Sequence, residues 1–141
     1  MSVVIGYSPS PQGEAALRAG LREARLLSSP VLVASHAYHD PEHGITTATE
    51  GFVQQALRDA ATASGEQVPA SVEVEVGEGR DVGEFLLEVA HRPEARLLVI
   101  GLRRKSPIGK LNLGASARRV VLGSPCPVLA VKDDEVATAS L

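Results

Sequence analysis

Between Gly101 and Val120 the chain carries Arg103, Arg104, Lys105, Lys110, Arg118 and Arg119, with no acidic residue among them. Cations gathered without counter-charges are suited to holding an anion, and phosphate is the anion that guanidinium groups meet best. The same stretch contains Gly114-Ala115-Ser116, a run of small residues where a helical pattern begins. The first turn of a helix leaves backbone N–H groups unpaired, and those groups attract negative charge. A basic connection opening into such a turn reads as a phosphate-facing edge. The plainer alternative is a solvated basic surface, and Arg118 and Arg119, in the helix body, fit pairing with carboxylates better.

Positioning such an edge needs a strand before it and a helix after it. Leu97-Leu98-Val99-Ile100 is a short apolar run suited to a strand buried on both faces, and Gly101 ends it. The connection from Leu102 to Leu113 carries Pro107 and Gly109, and its length is that of binding loops. A helix follows to Gly123, then a last apolar strand, Val128 to Val131.

The rest of the chain repeats this alternation. Val3-Val4-Ile5 predicts a first strand ending at Gly6-Tyr7. Ser10 is placed to cap a helix whose first residue is Pro11, with Leu17, Leu21, Ala24 and Leu27 or Ser28 on its inner face. Pro30 closes that helix, and Val31 to Ala34 begins a second strand. Residues 35–47 are polar, contain Pro41 and Gly44, and read as a loop. Phe52, Val53, Ala56, Leu57 and Ala60 predict a second helix, ended by Ser64-Gly65. Val72, Val74 and Val76 alternate with Glu73 and Glu75, a period of two that suits an edge strand. Asp81 and Glu84 are spaced as a helix-capping pair ahead of Val82, Phe85, Leu86, Val89 and Ala90.

Five strands alternating with four helices predict an α/β domain, a doubly wound, mainly parallel sheet covered on both faces. In such sheets a ligand lies outside the carboxyl ends of the strands where their order reverses. If the first and fourth strands are neighbours, that crevice lies between Tyr7-Ser8 and Gly101. Tyr7 then either stacks on a base or is buried under the first helix.

Composition narrows the function. The chain has 141 residues, 44% of them hydrophobic, enough for one domain with a real core. A net charge of -3 and an aromatic content of 3% argue against nucleic acid as a partner. A single cysteine, Cys126, excludes an internal disulfide and fits a reducing compartment. No apolar run is long enough to span a bilayer and no leader pattern follows Met1, so the expectation is a cytoplasmic protein without a membrane partner. His36, His39 and His43, with Asp40 and Glu42, are metal-ligand types, but their spacing matches no standard site, and no metal is expected. Phosphate-loop and nucleophile-elbow motifs are absent, so no catalytic residue is assigned.

Over nearly its whole length the chain resembles the universal stress protein family, which the element order, the Gly101–Gly114 separation and the SPCPVLAVK segment carry. The resemblance implies a single domain over residues 1–132 and strand order 3-2-1-4-5, while the acidic, then small-residue run of 133–141 reads as a flexible tail. Nucleotide-binding members carry Gly, two residues, Gly, nine residues, then Gly-Ser or Gly-Thr. Gly101 and Gly114 match the outer glycines; Arg104 stands at the middle one, and Ala115 replaces the hydroxyl residue, with Ser116 adjacent. Ser8 occupies the place of the family's aspartate, and Ala37 that of a residue whose backbone meets adenine. The resemblance thus implies ATP as ligand, with magnesium only if ATP binds. Ser8, Ala37, Gly101, Arg103, Arg104, Gly114, Ala115 and Ser116 would form its site. Arg104 either blocks the backbone approach that glycine allows or contacts phosphate itself. It also implies a homodimer joined through Val128, Leu129, Ala130 and Val131. The alternative is a nucleotide-free dimeric scaffold whose basic loop, 102–113, meets a protein partner.

Overall fold

The computed structural model describes residues 1–40, 42–103 and 114–133. Its elements are β1 (Ser2–Tyr7), α1 (Pro11–Leu27), β2 (Val31–Ser35), β3 (Ala37–Asp40), β4 (Gly44–Thr47), α2 (Glu50–Ser64), β5 (Val72–Val76), α3 (Val82–Ala90), β6 (Ala95–Leu102), α4 (Ala115–Gly123) and β7 (Val128–Lys132). Five strands form one sheet in the order β5-β2-β1-β6-β7, and every pairing in it is parallel. Counted within that sheet alone, the order is the expected 3-2-1-4-5.

Residues 35–47 depart from the expected loop. Ser35 completes β2, and β3 pairs with β4 as an antiparallel hairpin, Tyr38 opposite Thr46 and His39 opposite Ile45. The hairpin is short and mostly exposed, so its residues lack the apolar alternation that marks a strand packed on a core. Its base is held elsewhere: the His36 amide donates to the Tyr7 carbonyl at 2.7 Å, and Ser35 Oγ donates to the Ala48 carbonyl at 3.0 Å.

The helix boundaries follow local chemistry. Ser10 Oγ accepts from the Gly13 amide at 3.1 Å, with Pro11 in the first turn. Thr49 caps α2, and Gly65, at φ 70°, ends it in the left-handed region that glycine enters without strain. Asp81 Oδ1 accepts from the Glu84 amide at 2.9 Å. The opposite half of that capping pair is replaced, since Glu84 faces Arg119 instead.

Two apolar layers flank the sheet. One holds Val3, Ile5, Tyr7, Leu17, Leu21, Val33, Val53 and Leu57 beneath α1 and α2. The other holds Val4, Leu32, Phe85, Leu86, Val89, Leu98, Ile100 and Val120 beneath α3 and α4. Alternate residues of β1 thus face opposite layers, as a strand buried on both faces requires. Small residues let the layers close: a β-carbon on Gly20 would overlap the Ile5 side chain. Phe52 is exposed, outside the buried face formed by Val53, Ala56, Leu57, Ala60 and Ala61. Leu27 likewise lies outside the inner face of α1.

Candidate functional site

The order of the parallel sheet reverses direction at β1, whose neighbours are β2 and β6. Val3 aligns with Leu97, Val4 with Leu98 and Ile5 with Val99, so β1 and β6 run side by side toward one carboxyl edge. The carboxyl ends of β1 and β6, at Tyr7-Ser8 and Gly101, therefore fall at the topological switch point. Because β6 and β7 are parallel, the intervening α4 starts at that same edge.

Each expected site residue has a distinct placement. Ser8, directly after β1, is buried, and its Oγ shares a hydrogen bond with Ser10 Oγ at 2.8 Å. The hydroxyl is thereby tied to the cap of α1. Ala37 opens β3, directly after the His36 amide that extends the β1–β2 ladder. Gly101 lies in β6, opposite Val131 of β7. Arg103 follows β6, exposed, with its guanidinium carbon 5.9 Å from the centroid of the Tyr38 ring. Gly114 is the residue before α4; no side chain caps this helix, and Ala115 and Ser116 form its opening turn. Arg104 and most of the basic loop, 104–113, lie outside the described residues.

The topology thus brings Ser8, Ala37, Gly101, Arg103 and the amino end of α4 to one edge of the sheet. Arg103 and an uncapped helix start both favour negative charge there. Tyr7 does not contribute a stacking surface. Its ring is fully buried beneath α1, and its hydroxyl donates to Glu14 Oε1 at 3.2 Å. Burial pushes the Tyr7 hydroxyl's pKa upward, and the Glu14 charge adds to that rise. Glu14 is itself raised above the ordinary carboxylate range by burial, against the Tyr7 hydrogen bond and the Arg18 charge. At the end of β2, burial lowers the His36 pKa, so the neutral imidazole is favoured.

Arg119 is paired with carboxylates: its guanidinium lies 3.4 Å from both Asp81 Oδ1 and Glu84 Oε1, at the amino end of α3. Among the described residues, no group of three or more His, Cys, Asp or Glu is placed to hold a metal ion, and His39 and His43 belong to the exposed hairpin region. A groove of about 800 Å³ lies at the amino-terminal pole of the sheet, between the end of α1 and the segment entering β5. It contains none of the expected ligand residues. Tyr38 lies outside the site residues expected from the sequence. The aromatic and β-branched residues on either side of Pro41-Glu42-His43-Gly44 were the available signal for its hairpin.

The model of the universal stress protein family matches residues 1–132. The chain belongs to the universal stress protein family. A universal stress protein of Mycolicibacterium smegmatis is 38% identical over 133 residues, spanning 92% of this chain and 96% of that relative. Among solved structures, a universal stress protein in complex with cAMP aligns with a TM-score of 0.66 at 24% identity, covering 94% of this chain and 97% of that one. The Archaeoglobus fulgidus universal stress protein in complex with dAMP aligns with a TM-score of 0.60 at 21% identity, covering 94% and 98%. At those identities the two structures show a shared fold. No helix among the described residues is long and apolar enough to cross a membrane.

Proposed function

We propose that this universal stress protein binds an adenine nucleotide at the carboxyl edge of β1 and β6, and acts by association rather than turnover. The observation that carries this reading is the convergence of exposed Arg103 and the uncapped start of α4 on the switch point of the sheet. In this arrangement the backbone at Ala37 meets the base, and Gly101, Arg103, Gly114, Ala115 and Ser116 surround the phosphates. Ser8 adds a buried hydroxyl oxygen beside the ribose position. Arg104 belongs to the same phosphate end by sequence. Structures of the same fold in complex with cAMP and dAMP support the choice of ligand class. ATP is the ligand proposed, and magnesium enters only with its phosphates.

The proposed unit is a homodimer in the cytoplasm, formed by pairing of β7 across a two-fold axis. β7 is the last strand of the sheet, and its Val128-Leu129-Ala130-Val131 run is apolar. An unpaired apolar edge favours association with a second copy. The domain proposed is residues 1–132.

A second reading is a nucleotide-free dimer whose basic loop, 102–113, meets a protein partner. The engagement of the Ser8 hydroxyl by Ser10 favours it, since that side chain is partly committed to the Ser10 hydroxyl that caps α1. Calorimetric titration of ATP with Mg²⁺ separates the two. Saturable heat and a raised melting temperature are expected; neither at millimolar nucleotide would leave the scaffold reading standing. Arg104→Gly then tightens binding if Arg104 blocks the loop and weakens it if Arg104 meets phosphate.

A further inference from the structure

We propose that Tyr38 is a positioning residue for the phosphate end of the cleft, its ring holding the Arg103 guanidinium across the mouth of β1. This rests on the nucleotide-binding reading above and adds a residue to it. Tyr38 belongs to the hairpin that leaves β2, whereas Arg103 follows β6. In the sheet, β1 lies between β2 and β6. A contact joining a β2-side residue to a β6-side residue therefore passes over the carboxyl end of β1, the place assigned to the ligand. The guanidinium carbon sits 5.9 Å from the Tyr38 ring centroid, within the range of a cation–π contact.

The hairpin has a firm base for this task. Its first residue follows the His36 amide, which is bonded to the Tyr7 carbonyl, and Ser35 Oγ is bonded to Ala48 beyond the second strand. Tyr38 itself is half-buried and paired opposite Thr46, so the ring is carried on a closed two-stranded support. Arg103 is exposed, and a free arginine side chain loses rotamer entropy when it grips an anion. Stacking on the ring removes part of that freedom beforehand, while the guanidinium edge keeps its N–H donors for phosphate oxygens. The ring acts only through Arg103; phosphate is the group recognised.

The test is a double-mutant cycle on the full chain with AMP as probe, read by calorimetry. Tyr38→Ala is expected to weaken AMP binding about three- to tenfold, the range of a cation–π contact. Tyr38→Phe, which keeps the ring face, should bind as the parent does. In an Arg103→Gln background, Tyr38→Ala should have no further effect, because the group it positions is gone. A purely structural role for Tyr38 predicts an equal loss in both backgrounds, and that result overturns the proposal. Unchanged AMP affinity in Tyr38→Ala overturns it too, while leaving the cleft reading intact. Failure of the parent protein to bind AMP or ATP removes both. Should Tyr38→Ala melt below the assay temperature, Tyr38→Leu takes its place in the cycle.

Discussion

Gly101 of β6 lies directly against the backbone of Gln12 in the first turn of α1, so close that a β-carbon at position 101 would overlap the Gln12 carbonyl oxygen. The glycine that opens the family's loop pattern is therefore required by the packing of this chain, whatever it does for a ligand. Gly101→Ala must push α1 away from the sheet or shift β6, a form of overpacking that costs about 1–3 kcal/mol. Urea denaturation measures this, and the loss is expected with or without nucleotide. A variant as stable as its parent would show that α1 and β6 are not held at this separation.

His36 makes stability depend on pH. Burial lowers its pKa below the ordinary 6.5, so the unfolded chain takes up the proton first as pH falls. The full contribution of neutral His36 is present above about pH 6.5 and is lost as pH drops toward the lower folded-state value. His36→Gln should flatten the stability profile on the acid side of neutrality. Equal slopes for parent and variant in that window would place the titration on another group.

At the other end of the sheet, Ala130 is an exposed residue of β7. A lysine there leaves the core untouched and sets a charge on the edge where a second copy would pair, a common natural guard against such pairing. Light scattering should show a dimer for the parent and a monomer for Ala130→Lys at micromolar concentration. A monomeric parent would contradict the pairing through β7.

Most of the sheet was legible because its signals are local. The run Leu97–Ile100, the alternation of Val72, Val74 and Val76 with glutamates, and the Ser10-Pro11 helix start each need only a few neighbouring residues, and each reappears in the fold. The hairpin of β3 and β4 was hidden because its strands pack on no core, leaving polar residues without a period to follow. Phe52 misled by its type: its apolar ring suggests the inner face, but the helix phase set by Val53, Ala56, Leu57 and Ala60 turns it outward.

The site was legible in outline and not in detail. Loop length and charge marked the cations, and the family's loop pattern marked Gly101 and Gly114 as candidates, because length, charge and glycine spacing are written in sequence. The engagement of Ser8 by Ser10 was a matter of side-chain direction within a tight turn. The contacts of Gly101 with Gln12 and of Arg103 with Tyr38 join residues far apart in the chain, and no local pattern encodes them. The burial of Tyr7 settled an alternative that the sequence left open, since the strand end alone does not say which way the ring turns.

Backbone amide NMR of the labelled full chain during titration with ATP and Mg²⁺ is the most direct test of the cleft. Saturating shifts centred on Ser8, Ala37, Gly101, Arg103, Arg104 and Gly114 to Ser116 are expected, at the carboxyl edge where β1 meets β6. Saturating shifts at Ser28, Ser29 and Gly65 to Ser71 around the opposite groove, or none at all at millimolar nucleotide, would contradict it.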